Sequence, residues 1–246
     1  MRLHGKTAII TGAGSGFGAG IASTFNQEGA KVIIADINLE NAKNIAKKTN
    51  GIPIKVDVSS KISVEKMVYK VLSQVETVDI LVNNAGVTHL PAPMENITEE
   101  KFDNILAVNA KSVFLTAQHL VPHFKNKKSG VILNIASTAG VSPRPNLTWY
   151  NASKGWMITA TKSMAVELAP QGVRVNAINP VAGETPLLKS FMGKDTPEIR
   201  KKFLSTIPIG RFSTPNDIGN TATFLCSDEA SMITGVALEV DGGRCI

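Results

Sequence analysis

The residues of this 246-residue chain that could most clearly do chemistry are a tyrosine and a lysine four positions apart, Tyr150 and Lys154 in Tyr-Asn-Ala-Ser-Lys. On a helix, residues i and i+4 lie one turn apart on the same face. A lysine ammonium beside a phenol favours the phenolate and lowers the pKa of the tyrosine, which suits a general acid or base. Ser137, thirteen residues upstream, adds a hydroxyl that could stabilise a carbonyl oxygen. Taken alone, the Tyr150–Lys154 pair is more often a solvated helix face.

A glycine-rich turn near the N-terminus gives this pair a chemical context. The apolar run 6–11 predicts a buried strand, and it is followed by Gly12-Ala13-Gly14-Ser15-Gly16-Phe17-Gly18 and then by an apolar helical pattern. Gly12, Gly16 and Gly18 allow a sharp turn, a close approach to a pyrophosphate and tight packing of the helix on the strand. The free N–H groups of the helix N-terminus favour an anion at the same place. The order of strand, glycines and helix therefore predicts a dinucleotide site.

The second predicted strand, 31–36, ends at Asp36, about twenty residues beyond the glycines. An acidic side chain at this position can accept hydrogen bonds from the adenosine ribose and repels a 2′-phosphate. Neither Ser15 nor Ile37 supplies a basic side chain for such a phosphate. The sequence therefore predicts NAD(H) rather than NADP(H), with helix capping as the alternative role of Asp36.

These segments together resemble the short-chain dehydrogenase/reductase family, in its NAD(H)-preferring branch, over nearly the whole chain. The family pattern Thr-Gly-x-x-x-Gly-x-Gly appears as Thr11 to Gly18, and its Asn-Asn-Ala-Gly segment as Asn83 to Gly86. The aspartate that contacts adenine corresponds to Asp57, followed by Val58. The Asn-Ser-Tyr-Lys tetrad of the family matches Asn109, Ser137, Tyr150 and Lys154. The resemblance implies an oxidoreductase that transfers hydride between NAD(H) and a secondary alcohol or ketone.

The resemblance also implies a role for each member of the tetrad. Tyr150 would give a proton to the carbonyl oxygen in the reductive direction, and Ser137 would orient that oxygen. Lys154 would hold the nicotinamide ribose and lower the pKa of Tyr150, while Asn109 would anchor a water in a proton relay. The implied cofactor-binding residues are Gly12, Ser15, Gly16, Phe17, Gly18, Asp36, Ile37, Asp57, Val58, Asn84, Ala85, Gly86, Tyr150, Lys154, Pro180, Gly183 and Thr185.

One segment departs from the family pattern. It reads Pro180-Val181-Ala182-Gly183-Glu184-Thr185, with Val181 in place of the usual glycine. Gly183 stands where a branched apolar residue normally anchors the nicotinamide amide. Backbone contacts to the cofactor need no particular side chain and can survive, whereas the shape of the nicotinamide pocket is expected to change.

Apolar strand candidates alternate with helical patterns along the chain. Strands are predicted at 6–11, 31–36, 52–58, 79–83, 130–136, 173–179 and 236–240, and helices at 17–28, 38–48, 61–75, 98–123, 148–169 and 215–227. This alternation predicts one α/β domain, 1–246, with a Rossmann-type, doubly wound parallel sheet of about seven strands. Ligands then bind at the carboxyl ends of the strands.

The interval 181–214 is long and contains three prolines, which is typical of a functional lid. The resemblance implies a substrate-binding lid, and the segment 141–149 should form the opposite wall. The expected pocket consists of Ser137, Arg144, Trp149, Tyr150, Leu187, Leu188, Phe191 and Met192. Arg144 could meet an anionic substrate group or lie at the surface. The apolar lid residues could equally pack on the core.

The composition of the chain limits its expected location and partners. No run of eighteen apolar residues predicts a membrane span, and the first strand begins too early to leave room for a signal peptide. Cys226 and Cys245 predict neither a disulfide framework nor a metal site, so a cytoplasmic setting is the default. The net charge is +6, but the basic residues are scattered except in 125–128, which is interpreted as a solvated loop. Nucleic acid is therefore not an expected partner.

The predicted helices at 98–123 and 148–169 contain more apolar residues than a single buried face requires, which suggests a subunit interface. The family resemblance favours a homotetramer. The candidate interface residues are Ala107, Phe114, Leu115, Trp156, Met157, Met164 and Ala165.

Other functions remain open beside an alcohol dehydrogenase or carbonyl reductase. One is a 3-oxoacyl-(acyl-carrier-protein) reductase of fatty-acid synthesis: Lys127 and Lys128 fit its basic surface, whereas Gln171 and Asp36 do not fit its usual pattern. A sugar (glucose-type) dehydrogenase is a second, and a catalytically idle nucleotide-binding protein is a third.

Overall fold

The computed structural model describes all residues, Met1–Ile246, around a parallel sheet of seven strands in the order β3-β2-β1-β4-β5-β6-β7. The strands are β1 Thr7–Thr11, β2 Lys31–Asp36, β3 Ile52–Lys55, β4 Ile80–Asn83, β5 Gly130–Ile135, β6 Val173–Pro180 and β7 Ala237–Val240. All seven lie where the sequence predicts them, within a few residues at each end. The single-domain Rossmann-type α/β fold is confirmed.

Nine α-helices connect and cover these strands. They are α1 Gly16–Gln27, α2 Leu39–Thr49, α3 Lys61–Gln74, α4 Glu99–Leu106, α5 Ser112–Lys127, α6 Thr148–Leu168, α7 Leu188–Met192, α8 Pro197–Leu204 and α9 Pro215–Cys226. None of them combines the length and the apolar character needed to cross a membrane.

The core lies on both faces of the sheet because successive strand residues point to opposite sides. Ile10 packs in one apolar cluster with residues of α1 and α9, such as Phe25 and Leu225. Its neighbour Ile9 packs in a second cluster with residues of α3, α5 and α6, such as Met67 and Phe124. Full burial of a side chain of this size contributes about 1.5–3 kcal/mol. A strand that is apolar at every position is therefore favoured where helices cover both faces of the sheet.

The helix predicted at 98–123 differs from the structure in two ways. It consists of α4 and α5 joined by a π-helical turn, Ala107–Lys111, which contains Asn109. Helix α5 also continues to Lys127, so the interpretation of 125–128 as a solvated loop is wrong. Phe124 is fully buried against the sheet, which holds the last turn in place. Lys127 in that turn forms an ion pair with Asp79.

Most of the predicted interface residues do not face outwards. Leu115, Met157 and Ala165 are buried within the protomer, because they face the sheet rather than the solvent. Ala107 and Met164 are half-buried. Only Phe114 and Trp156 are exposed, with 55% and 43% of their surface accessible.

The connection between β6 and α9 contains α7 and α8 and is closed at its base. Glu184 N donates to Ser213 O at 2.9 Å, and Ser213 N donates to Ala182 O at 3.2 Å. With Val181 just before these contacts, the segment forms an apolar cluster that consists of Val181, Leu188, Met192, Ile207 and Phe212. It also contacts the rest of the protein, since Ile209 N donates to Gly242 O at 3.1 Å and the Phe191 ring packs on Tyr150.

Candidate active site

A cleft of about 450 Å³ runs along the carboxyl ends of the strands. At one end it is lined by the glycine turn and Asp36, and at the other by Ser137, Tyr150 and Lys154. Parallel strands place their carboxyl ends along one edge of the sheet, so residues distant in sequence converge there. The structure therefore brings the predicted nucleotide residues, except Gly18, and three of the four predicted catalytic residues into the lining of one cleft.

The glycine turn is held against the loop after β4. Gly12 adopts a positive φ of 63°, and a Cβ at this position would lie 2.8 Å from Ala85 Cα. Asn84 Nδ2 donates to Thr11 O at 2.9 Å and to Gly12 O at 3.1 Å. Gly18 lies beneath the cleft rather than in its lining, where a Cβ would collide with Gly12 O and Asn84 Nδ2. The turn therefore presents backbone to the cleft, as binding of a pyrophosphate requires.

Asp36 ends β2 with its carboxylate in the cleft. Its Oδ2 accepts from Gly14 N at 2.8 Å, and its Oδ1 accepts from Asn38 N at 2.8 Å. The side chain that caps α2 is Asn38, which accepts from Asn41 N at 3.1 Å, so the capping role considered for Asp36 is wrong. Each oxygen of Asp36 keeps acceptor capacity for a ribose hydroxyl.

Gly14 is a residue that sequence reasoning missed. A Cβ there would lie 2.8 Å from Asp36 Oδ2, so a side chain would displace the carboxylate. The signal was present, because Gly14 belongs to the same glycine-rich run.

The adenine end of the cleft is completed by the loops after β2 and β3. Ile37 is largely exposed at the rim, and Val58 lies buried in the lining. Asp57 Oδ1 accepts from Ser59 N at 2.9 Å and from Ser59 Oγ at 2.6 Å, which fixes the carboxylate in this loop. Together with the backbone turn and Asp36, these residues fit an adenine dinucleotide.

Tyr150 and Lys154 are buried on one face of α6, as their spacing predicts. Burial raises the pKa of the Tyr150 phenol to about 12, against the lowering effect of a hydrogen bond with Ser137. Burial also lowers the pKa of Lys154 to about 8. Lys154 Nζ donates to Ile135 O at 2.8 Å and lies 6.0 Å from the centre of the Tyr150 ring. Burial is therefore the largest cause of the pKa shift of Tyr150 in this structure, and its direction is opposite to the lowering expected from Lys154.

Ser137 and Asn109 occupy different kinds of position. Ser137 follows β5 in the lining of the cleft, and its Oγ accepts from Ala139 N at 3.1 Å. Asn109 is fully buried outside the lining. Its amide donates to Val87 O at 2.9 Å and to Ser153 Oγ at 3.0 Å, while its Oδ1 accepts from Val87 N at 2.9 Å. Asn109 thus ties the loop after β4 to α6, the helix that carries Tyr150 and Lys154.

The departure from the family pattern after β6 has a packing explanation. A Cβ at Gly183 would overlap the ring of Phe17, with Phe17 Cε1 only 2.6 Å away. Phe17 therefore occupies the space that a side chain at 183 would need. Pro180, Gly183 and Thr185 nevertheless line the cleft.

The predicted substrate residues separate into two groups. Arg144, Leu187 and Phe191 line the cleft beside Ser137 and Tyr150, and the Phe191 ring meets the Tyr150 ring edge-on with centroids 5.1 Å apart. Leu188 and Met192 do not line it, because they pack inside the lid cluster. Trp149 also lies outside the lining: its ring packs on Phe102 at 5.2 Å, and its Nε1 donates to Met94 O at 3.4 Å.

Leu147 and Phe203 also line the cleft; they lie within the predicted wall 141–149 and the predicted lid 181–214, but neither was named as a pocket residue. Phe203 lies on α8, with the Arg144 guanidinium 4.5 Å from the centre of its ring. The only signal in the sequence is that Phe203 is an aromatic residue within the predicted lid.

Comparisons with known proteins agree with this site. Residues 12–244 match a family profile described as enoyl-(acyl carrier protein) reductase. The chain is 47% identical over 252 residues to 4-formylbenzenesulfonate dehydrogenase TsaC1/TsaC2 of Comamonas testosteroni, with both chains covered completely. It is 40% identical over 251 residues to 3-oxoacyl-(acyl-carrier-protein) reductase of Thermotoga maritima, again over both complete chains.

A solved structure shows the same fold with a cofactor. It is the 3-ketoacyl-(acyl-carrier-protein) reductase from Brucella melitensis complexed with NADH, with a TM-score of 0.95 and 50% identity. The match covers 99% of this chain and 100% of that chain. This chain belongs to the short-chain dehydrogenase/reductase family. It is a hydride-transfer oxidoreductase that binds NAD(H), which confirms the family, enzyme and cofactor predictions.

Proposed function

We propose that the protein is an NAD(H)-dependent alcohol dehydrogenase/carbonyl reductase in which Tyr150 is the general acid and base. The observation that carries this proposal is the convergence of Ser137, Tyr150 and Lys154 at one end of a cleft that has Asp36 at the other. A carbonyl oxygen at the Tyr150 end then lies next to a proton donor and a hydroxyl. Small-molecule substrates suit a cleft of this size.

Bound NAD(H) supplies hydride in the reductive direction and accepts it in the oxidative one. Because burial raises the pKa of Tyr150 to about 12, its phenol is protonated at neutral pH and can donate from Oη to the carbonyl oxygen. The Ser137 hydroxyl donates a second hydrogen bond to that oxygen. Lys154 stays largely protonated at neutral pH, since its pKa of about 8 is above 7, and its charge stabilises the phenolate left by proton donation.

Asn109 is assigned a positioning role. Both hydrogens of its amide are donated, to Val87 O and Ser153 Oγ, so we assign its effect on the reaction to the loop and the helix that it joins. The remaining residues are assigned to cofactor binding. The nucleotide is held by the backbone of Gly12 to Gly18 and by the carboxylates of Asp36 and Asp57. Lys154 holds the nicotinamide ribose.

The segment 181–214 is assigned as the substrate lid. Support comes from the pairing of its ends at Gly183 and Ser213, its own apolar cluster, and the presence of Leu187, Phe191 and Phe203 in the lining of the cleft. A connection of this length is typical of a functional lid.

The alternative of a 3-oxoacyl-(acyl-carrier-protein) reductase is supported by the names of two relatives. One observation weighs against it: Lys127, expected to contact an acidic carrier, is paired with Asp79. Asp36 disfavours the 2′-phosphate of NADPH but does not separate the two functions, because the reductase from Brucella is itself complexed with NADH. A sugar substrate is disfavoured by the apolar wall of Leu147, Phe191 and Phe203. The relative from Comamonas supports an aromatic carbonyl compound, which suits that wall.

The assembly is assigned as a homotetramer in a cytoplasmic setting. Phe114 and Trp156 on α5 and α6, together with the 80% exposed Val166 on α6, offer apolar surface for helix packing between copies. The two free cysteines, Cys226 and Cys245, suit a reducing compartment. Sedimentation of the purified protein tests the assembly: a mass four times that of the chain supports it, and a monomer contradicts it.

The test of the reaction is NADH oxidation by the purified protein against small ketones, cyclic ketones, keto esters and an acetoacetyl thioester, with NADPH in parallel. Turnover of ketones with NADH supports the proposal. Thioester reduction that prefers NADPH supports the carrier-protein alternative instead. NADH binding without turnover of any carbonyl compound contradicts both.

A further inference from the structure

Arg144 is a cation in the substrate end of the cleft that no acidic side chain compensates. Its position is fixed by Pro143 and Pro145 on either side and by Asn151 Nδ2, which donates to Arg144 O at 2.8 Å. The guanidinium lies over the Phe203 ring, with Cζ 4.5 Å from the ring centre, and forms no ion pair. Its Nη2 is buried and has no hydrogen-bond partner. A buried charged donor without an acceptor costs free energy, so this position is unfavourable unless an acceptor arrives.

Arg244 brings a second cation to the same place from the C-terminal segment. Its Nη1 donates to Ser142 Oγ at 3.2 Å, two residues before Arg144, and its Nε is buried without a partner. Burial lowers the pKa of Arg144, and repulsion from Arg244 lowers it further. Asp241, the acidic residue of the same C-terminal segment, forms no ion pair with either arginine, and its carboxylate accepts from Gly243 N at 2.9 Å and Cys245 N at 2.8 Å.

The space between Arg144 and the catalytic phenol is apolar. Leu147 and Phe191 pack with Tyr150, Phe203 contacts the Arg144 guanidinium, and all three apolar side chains line the cleft. A ligand that spans this space therefore needs three parts: a carbonyl or hydroxyl group at Tyr150, an apolar body, and an acceptor group at Arg144. Guanidinium groups bind carboxylate, sulfonate and phosphate oxygens in pairs, and two neighbouring cations favour an acceptor with a full negative charge.

We propose that Arg144, supported by Arg244, forms an anion subsite, and that the substrate carries an oxyanion on an apolar body opposite its reacting carbon. The inference rests on the proposed alcohol and carbonyl chemistry at Tyr150 and names the substrate class for it. Arg144 contacts the substrate anion, and Arg244 adds charge and holds the segment at Ser142.

The test compares three probes of one shape: 4-acetylbenzenesulfonate, 4-acetylbenzoate and the neutral 4-acetylbenzamide. The quantity measured is the ratio of kcat/KM for an anionic probe to kcat/KM for the neutral probe, with NADH saturating. The wild-type protein is expected to favour the anions by about tenfold or more. Arg144→Gln should reduce this ratio to near one, and Arg244→Gln should reduce it by about threefold.

Lys66→Gln is the matched control, since it removes one positive charge from an exposed position on α3 and should leave the ratio unchanged. A wild-type ratio near one, or a ratio retained in Arg144→Gln, overturns the inference. Arg144→Gln should fold, because the guanidinium donates no hydrogen bond within the protein. Circular dichroism and NADH titration verify this.

Calorimetry with benzenesulfonate separates this inference from the proposed reaction. If no probe is turned over, the proposed reaction fails, and binding of benzenesulfonate to the NADH-loaded protein still decides the inference. Binding weakened about tenfold or more in Arg144→Gln, and unchanged in Lys66→Gln, supports the subsite. Absence of binding to the wild-type protein, or equal binding to both variants, overturns it. Loss of assembly in Arg144→Gln without an anion preference in the wild type also overturns it, because the arginines then serve contacts between copies.

Discussion

The nucleotide end of the cleft is formed largely by backbone from short contiguous segments, whereas the substrate end is formed by side chains from three separate parts of the chain. At the first end, Gly12 and Gly14 bring main chain against Ala85 and Asp36. At the second end, Arg144 comes from the loop before α6 and Phe203 from α8. Recognition by backbone requires the main chain to approach closely, so the positions of the glycines in the sequence indicate it. Side-chain recognition depends on which surfaces the fold happens to bring together.

This comparison predicts that a change at the substrate end can remove chemistry without removing cofactor binding. Tyr150→Phe deletes only the proton donor, so kcat should fall by about 10²–10⁴-fold. The dissociation constant for NADH, measured by fluorescence titration, should stay within about threefold. Tyr69→Phe is the matched control, because Tyr69 is the other tyrosine of the chain and is exposed on α3. Substantial residual activity in Tyr150→Phe would refute the assignment of the acid.

A change at the nucleotide end should affect cofactor binding and stability together. Gly12→Ala forces a side chain into a positive φ and against Ala85, so we expect a loss of about 2–4 kcal/mol in the free energy of unfolding and much weaker NADH binding. Gly5→Ala has a similar φ of 74° with no atom within 4 Å of its Cβ. It should cost only about 1–2 kcal/mol and spare NADH binding. Urea unfolding and NADH titration measure both quantities, and equal losses in the two variants would contradict the close-approach argument.

The pH dependence of the rate should differ between the two directions of the reaction. The raised pKa of Tyr150 keeps the phenol protonated at neutral pH, which suits proton donation in reduction. Oxidation needs the deprotonated form, so kcat/KM for a secondary alcohol should rise with pH by about tenfold or more between pH 6 and 9. Reduction should not rise over that range. Initial rates in both directions at constant ionic strength measure this, and an oxidation rate independent of pH would be the contrary result.

The smallest expected effect lies where the two ends of the cleft meet. Gly183→Val should destabilise the protein by about 1–3 kcal/mol, because its side chain would overlap the Phe17 ring. Phe17→Leu makes room, so the double variant should recover about 1–2 kcal/mol of this loss. Unfolding free energies of the two single variants and the double variant give the coupling. Additive losses would show that Phe17 does not account for glycine at 183.

The sequence predicted more of the nucleotide end than of the substrate end for a physical reason. Gly12, Asp36 and Asp57 each follow a recognisable apolar strand, so the sheet topology places them without knowledge of any side-chain packing. Leu188 and Met192 look like Leu187 and Phe191 in sequence, yet they turn into the lid cluster. Only the packing of α7 decides which apolar side chains face the cleft.

By itself, the sequence determined the alternation of strands and helices, the single Rossmann-type domain, the cofactor and the spacing of Tyr150 and Lys154. These properties depend on local periodicity and on contiguous segments, which a linear pattern records. The tertiary structure decided the rest. It showed that burial controls the pKa of Tyr150, that Asn109 joins a loop to α6, and that Arg144 and Arg244 meet without a counterion. Burial and charge pairing arise between residues far apart in the chain, so the spacing of residues along it does not specify them.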